Sequence, residues 1–233
     1  METSATHHVR YDELINRLIE KFEPARRIWP IWARLALWLI LEFSILSLVA
    51  FGAPRPNLLA ALGNPAYVMQ VVLFVVVGVA AAALALRTAI PGLEATTMQL
   101  SPVFLAAAVS ILVAALAPAQ TEISLGAFIG VGMKCLVCTG LLAALPWLAL
   151  FWAVRRGAPL ASHLAGVLVG VAAFSFACAA TRLGCPIDDS LHVLTWHLFP
   201  AAAGTALSML AGVAWLGRKT LSQTGSRTTG NYR

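Results

Sequence analysis

Apolar runs of about 18 residues or more recur along this chain, and an α-helix of that length can cross a lipid bilayer. The 233 residues are 60% hydrophobic and only 11% charged, whereas soluble domains average roughly 25% charged residues. The sequence therefore predicts an all-α integral membrane protein. The segment before the first apolar run is charged and lacks the apolar core of a cleavable signal peptide, so we expect the first span to be an uncleaved anchor.

Six transmembrane helices are predicted from these runs. They cover about 31–51, 66–86, 101–117, 135–154, 160–181 and 193–216. The fourth is the hardest to delimit, because the apolar stretch that ends at Val154 is too long for one simple crossing and contains Lys134. We interpret 121–133 as an interfacial or re-entrant segment, in which Gly126 and Gly130 permit a close helix contact.

The distribution of positive charge predicts the orientation of the six helices. Thirteen of the 16 Lys and Arg residues fall on the side of the two termini, and the other three are Arg55, Lys134 and Arg182. Because Lys and Arg are enriched in cytoplasmic loops, both termini are predicted to be cytoplasmic. In a bacterium this describes a multi-pass inner-membrane protein, with a C-terminal tail, 218–233, that is predicted to be disordered.

All four cysteines fall near the extracytoplasmic face in this topology, where an oxidising space allows disulfides to persist. Cys135 and Cys138 are three residues apart and share a helix face. Cys178 is best explained as a small buried hydrophobic residue, and that explanation stays open for Cys138. Cys185 lies in a short polar loop before a proline, so redox chemistry or metal binding explains it better than core packing does.

Two histidines follow Cys185 in the segment RLGCPIDDSLHVLTWH. His192 lies at the mouth of the sixth span, and His197 lies about one turn inside it. With Cys135 and Cys138 they could complete a soft nitrogen and sulfur metal site. Alternatively, His197 only forms a hydrogen bond to a neighbouring helix and His192 lies at the membrane interface. We predict a sensing site for redox state or metal, with a transition-metal ion or a disulfide as the signal.

Three acidic residues in or beside the spans also need an explanation. Asp188 and Asp189 are either ligands or part of a solvated turn, in which one of them forms a helix N-cap. Glu42 lies in the middle of the first span, where a carboxylate must be protonated or paired. A hydrogen bond within the bundle is favoured there over a role in proton movement.

The segment HHVRYDELINRLIEKFEPARR, which precedes the first span, has the pattern of a short amphipathic helix. Its large apolar side chains fall within one arc of about 140°, and Pro24 ends the helix. They are Tyr11, Leu14, Ile15, Leu18, Ile19 and Phe22. Such a short helix is marginal alone in water, so it needs a surface. A groove on a protein partner is favoured over the lipid interface.

The chain resembles the NrsF-like anti-sigma factors, six-span bacterial membrane proteins that hold an extracytoplasmic-function sigma factor inactive. The resemblance rests on DELINRLIEKFEPARR, on KCL followed by LPWLALFWAVRRGAPL, and on CPIDDSLHVLTWHLFP. It implies a sigma-binding cytoplasmic tail, 1–29, and a transmembrane sensor domain, 30–217. It also implies that Cys135 and Cys185 are the characteristic pair, with a response to metal or oxidative stress.

The chain is therefore predicted to be an anti-sigma factor. Its predicted partners are a sigma factor and the lipid bilayer, and no direct contact with nucleic acid is predicted. No enzyme activity and no catalytic residue are predicted. The alternative is a small membrane transporter or a thiol-based membrane oxidoreductase that uses Glu42, His197 and the thiols. The sequence pattern does not predict an oligomeric state.

Overall fold

The structure is a computed structural model that describes residue 16 and residues 29–93, 95–117, 124–157 and 159–217. Within these ranges the chain forms seven helices and no strand. They are α1 (Ile31–Gly52), α2 (Leu58–Leu62), α3 (Pro65–Thr88), α4 (Thr97–Ala115), α5 (Leu125–Arg155), α6 (Ser162–Gly184) and α7 (Ser190–Leu216). All of them except the short α2 are long and apolar enough to cross a membrane. The predicted all-α architecture with six spans is confirmed.

The six long helices alternate in direction and so define two ends of a bundle. Trp29, which precedes the first long helix, and Gly217, which follows the last, lie at one end, which we call the tail end. The α1–α3 and α6–α7 connections lie at the opposite end, which we call the cysteine end. A hydrogen bond from the Arg55 amide to the Leu183 carbonyl, 2.9 Å long, joins the α1–α3 connection to the last turn of α6.

Helix α6 occupies the centre of the bundle. Seventy-two per cent of its span is buried, whereas no other span exceeds 44%. Its small residues allow α7 to approach closely, since a side chain at Gly166 would meet the backbone at Ser208 and Gly212. Helices in lipid gain little from hydrophobic burial against each other, so close packing of small residues is a main source of their association.

We expect Gly166→Ala to lower the free energy of unfolding by about 1–3 kcal/mol, as overpacking of a tight contact does. The added methyl group would collide with the Ser208 carbonyl oxygen, a backbone atom that cannot rotate away. Denaturant titration of the protein in detergent measures the change. Gly140→Ala is the matched control, because Gly140 has open space around it. Equal stability of the two variants would contradict the packing described here.

The prediction for the fourth span is wrong in one respect. The structure has one continuous helix from Leu125 to Arg155, so 125–133 belongs to the same helix as Lys134 and is not a separate re-entrant segment. Glycine weakens a helix by only about 1 kcal/mol relative to alanine and keeps its backbone N–H, so the glycines do not interrupt the hydrogen bonding. Among the described residues nothing packs on Gly126 or Gly130, and Gly132 makes the close contact instead, against the Trp196 ring.

Candidate metal centre

Four side chains that can bind metal converge at the cysteine end. Cys135 comes from α5, Cys185 directly follows α6, and His192 and His197 come from α7. One ligand atom from each lies within 4.8 Å of the others. The two sulfur atoms are 3.6 Å apart, and the Cys185 sulfur lies 3.5 Å from Nε2 of His192. All four residues are buried, and both histidines have 0% relative exposure.

A π turn in α7 brings the two histidines to the same site. Five residues of α-helix turn the chain by about 500°, which would leave His192 and His197 about 140° apart. Leu194–Leu198 form a π turn instead, in which the Phe199 amide donates to the Leu194 carbonyl. Each residue of a π turn rotates the chain less, and the two imidazole rings lie 5.4 Å apart between centroids.

Pro200, which follows this turn, favours it locally. Proline has no N–H to donate, and its ring clashes with the carbonyl four residues earlier in an α-helix, which here belongs to Trp196. A wider turn relieves that clash. The Trp196 ring then packs over Gly132 of α5, where any side chain would overlap it. This contact allows the start of α7 to approach the helix that carries Cys135.

Hydrogen bonds fix the two cysteines from the α5 and α6 sides. The Thr181 hydroxyl donates to the Ala177 carbonyl at 2.8 Å, so the Thr139 hydroxyl must donate to Thr181 across 3.0 Å. Thr139 lies about one helical turn after Cys135, and this bond therefore sets the depth of Cys135 against α6. The Cys185 amide donates to the Thr181 carbonyl at 2.8 Å, which fixes Cys185 at the end of the same helix.

The other two cysteines lie outside this cluster. Cys138 is exposed on the surface of α5, although it is only three residues from Cys135. Cys178 is buried, and its thiol lies 3.5 Å from the His197 carbonyl. The four-residue set thus contains Cys135, Cys185, His192 and His197 from the predicted sensing residues, but not Cys138.

The chemistry of the cluster is that of a nitrogen and sulfur ligand set. Neither ring nitrogen of His197, nor Nδ1 of His192, meets a hydrogen-bond partner among the described residues. All four thiols are free. The hydrogen bond from Cys135 lowers the pKa of the Cys185 thiol, and the nearby His192 and His197 rings add to this effect against the opposing effect of burial. A thiolate with neighbouring free imidazole nitrogens is suited to a soft or borderline metal ion.

An ion-pair network beside the cluster was not predicted from the sequence. Asp188 accepts hydrogen bonds from Arg55 at 2.9 and 2.6 Å and from Arg182 at 2.6 Å. Burial opposes ionisation of Asp188, but the two guanidinium groups outweigh it and lower the pKa of the carboxyl. The hydrogen bond to Asp188 likewise raises the pKa of Arg55. The only available signal was that Arg55 and Arg182 are two of three cations on a side otherwise poor in positive charge.

The predictions for the acidic residues and for the tail have different outcomes. The Asp189 side chain accepts from the His192 amide at 2.9 Å, which confirms the N-cap predicted for one of the two aspartates. Glu42 is buried on α1, and its Oε1 meets no hydrogen-bond partner among the described residues. The six predicted partner-binding residues of the tail lie outside the described residues, which include only Asn16 and Trp29 of the tail; Asn16 is helical and exposed.

A comparison with protein families identifies the chain. Its sequence matches the family model for the negative regulator of sigma F, NrsF, over residues 18–217. No curated protein and no solved structure shows significant similarity to the chain. The match includes the six spans and all four residues of the cluster, so the resemblance inferred from the motifs is confirmed. The chain belongs to the NrsF family of negative regulators of sigma F.

Proposed function

We propose that this protein is a membrane-embedded anti-sigma factor that binds an extracytoplasmic-function sigma factor through residues 1–29 and releases it when a soft metal ion binds at the cysteine end. The family match supports negative regulation of a sigma factor over a transporter or an oxidoreductase. The predicted amphipathic helix supports the tail as the binding segment, because its apolar face needs a partner surface to be stable.

The observation that carries the metal proposal is the geometry of Cys135, Cys185, His192 and His197. Tetrahedral coordination with metal–sulfur bonds of about 2.3 Å and metal–nitrogen bonds of about 2.0 Å places two sulfurs about 3.8 Å apart and a sulfur and a nitrogen about 3.5 Å apart. The measured separations are 3.6 Å and 3.5 Å. No ligand atom is farther than 4.8 Å from another, so small side-chain rotations would complete the site.

The ligand types indicate the class of metal. Two thiolates and two imidazoles favour Zn²⁺, Cd²⁺ or Cu⁺ over hard ions such as Mg²⁺ and Ca²⁺. A disulfide between Cys135 and Cys185, the other signal considered from the sequence, would use the two sulfurs only. It would leave the buried histidines without a role, although both are fully buried beside the thiols.

The proposed orientation places this metal site on the extracytoplasmic side. Of the 16 Lys and Arg residues, only Arg55, Lys134 and Arg182 belong to the cysteine end in the predicted topology, and the cytoplasmic side carries the excess of positive charge. The site would then face metal outside the inner membrane, while the tail faces the sigma factor inside.

A cadmium titration of the purified full-length protein in nanodiscs tests this function. We expect ultraviolet absorption from Cd²⁺–thiolate bonds to saturate at one ion per chain, and Zn²⁺ to displace the Cd²⁺. Cd²⁺ should also release the sigma factor that co-purifies with the protein from its own cells. Absence of Cd²⁺ binding would exclude the metal site. Binding without release would show that the metal is not the regulatory signal.

A further inference from the structure

The side chain of Arg55 connects the cysteine end of α1 to the loop that carries Cys185. Its guanidinium donates to both carboxylate oxygens of Asp188 and, at 3.1 Å, to the Pro186 carbonyl. Its Nε donates to Asn57 at 2.7 Å. The Arg55 side chain has 0% exposure. We refer to Arg55, Asp188, Arg182 and Tyr67 as the arginine clamp.

Arg182 and Tyr67 complete the clamp from α6 and α3. Arg182 donates to the Ile187 carbonyl at 2.9 Å and to Asp188 at 2.6 Å. Both guanidinium carbons lie about 5 Å from the centre of the Tyr67 ring, at 5.0 and 4.9 Å, within the range of a cation–π contact. The Tyr67 hydroxyl donates to the Arg182 carbonyl at 3.0 Å. The loop is therefore held by two arginines from separate segments, and Tyr67 from a third segment packs against both of them.

The clamp shares its loop with the candidate metal ligands. Pro186, Ile187 and Asp188 lie between Cys185 and His192 in the chain, and each of them accepts a hydrogen bond from an arginine of the clamp. Asp189, next to Asp188, caps the turn that carries His192. An ion held between Cys185 and His192 would be bound at both ends of the same loop whose carbonyls and carboxylate hold Arg55.

On its other side the clamp holds the end of α1. This helix buries only three of its 22 residues, Trp38, Glu42 and Leu46. Near its end it packs on α6, where a side chain at Gly184 would contact Ala53 and Val49, and Arg55 follows two residues later. Hydrogen bonds from Arg34 and Trp38 to α5 hold α1 along its length, and the attachment at Arg55 holds the chain just beyond its cysteine end. The first residue of α1 is Ile31, and only Pro30 separates it from the tail segment 1–29.

We propose that the arginine clamp transmits metal binding at the Cys135, Cys185, His192 and His197 site to α1, so that a movement of the Cys185 loop shifts α1 and the tail before it. This inference rests on the proposed function, since it concerns the regulation of that site. Arg55 acts as a positioning residue and does not touch the metal. Allosteric coupling requires a structural element whose position depends on both sites, and α1 is that element between the metal site and the tail.

The test measures the sigma-factor dissociation constant of the full-length protein in nanodiscs, with and without Cd²⁺, and the Cd²⁺ affinity of the same sample. For the unsubstituted protein we expect Cd²⁺ to raise that constant by about tenfold or more, within the usual range of allosteric coupling. In Arg55→Gln the ratio of the sigma-factor dissociation constants with and without Cd²⁺ should fall to within about twofold of one. The Cd²⁺ affinity and the metal-free sigma-factor affinity should stay within about threefold of those of the unsubstituted protein.

Two further variants make the outcome decisive. Asp188→Asn removes the carboxylate from the other side of the clamp and should reduce the ratio in the same way. Asn57→Ala removes a contact of Arg55 that does not reach the loop, so it should retain the ratio.

If Arg55→Gln and Asp188→Asn keep the ratio of the unsubstituted protein, the coupling is overturned while the metal-sensing function stands. A loss of Cd²⁺ affinity in these variants would also overturn it, by showing that the clamp only maintains the metal site. Absence of a Cd²⁺ effect in the unsubstituted protein would instead refute the proposed function.

Discussion

Replacement of Cys185 by serine is expected to lower the affinity for Cd²⁺ by about 100-fold or more and to abolish metal-dependent release of the sigma factor. A serine hydroxyl stays protonated near neutral pH and is a hard ligand, so the site loses one of its two soft anionic donors. The substitution keeps the size of the side chain and the backbone hydrogen bond from residue 185 to Thr181. Basal binding of the sigma factor should therefore stay within about twofold, because the tail is unchanged.

Cys138→Ser is the matched control for this experiment. Cys138 lies on the same membrane helix as Cys135, but it is exposed and does not belong to the cluster. The control should bind Cd²⁺ like the unsubstituted protein and respond to it normally. The measurements are Cd²⁺ titration and reporter transcription from a promoter that the sigma factor serves. A normal transcriptional response in Cys185→Ser would exclude this thiol from sensing, whatever the metal affinity.

Leu18→Asp in the tail is expected to weaken sigma-factor binding by about 100-fold and to derepress transcription without any metal. A buried leucine contributes about 1.5–3 kcal/mol, and about 1.4 kcal/mol corresponds to a tenfold change in affinity. The introduced carboxylate adds a desolvation penalty in an apolar groove. The dissociation constant of the full-length protein for the sigma factor measures the effect directly.

Asn16→Asp is the control for the tail, because it introduces the same side chain on the predicted polar face. Asn16 is helical and exposed, so its substitution should change the affinity by less than about twofold. Cd²⁺ affinity should be the same in both tail variants, since neither residue belongs to the candidate metal centre. Equal sigma-factor binding by Leu18→Asp and Asn16→Asp would refute the apolar face of the tail as the binding surface.

The six spans could be predicted because hydrophobic length is a property of the sequence. The predicted first span, 31–51, ends within one residue of the observed helix, Ile31–Gly52. The second, 66–86, is extended at both ends to Pro65–Thr88. The error in the fourth span arose where hydropathy is interrupted, since Lys134 lowers the local average without removing a backbone hydrogen bond. A continuous helix can include such a residue, and Leu125–Arg155 does.

The candidate metal centre could be predicted only in part. Only the family resemblance singled out Cys135 and Cys185 as a pair, and the predicted topology by itself placed both at the same membrane level. It placed Cys138 there equally well, and only the rotation of α5 against α6 separates the buried Cys135 from the exposed Cys138. That rotation depends on contacts such as the bond between Thr139 and Thr181, which join residues from different helices and leave no periodic signal in the sequence.

The sequence by itself determined the number of helices, their membrane character and the residue types available for sensing, because these depend on local composition. It also contained the motifs of the NrsF family. Only the tertiary structure decided that His192 and His197 meet, across the π turn Leu194–Leu198. The tertiary structure also joined Arg55 to Asp188, across 133 positions of the chain. Such pairings depend on how helices dock, and docking is determined by side-chain shape across the whole bundle.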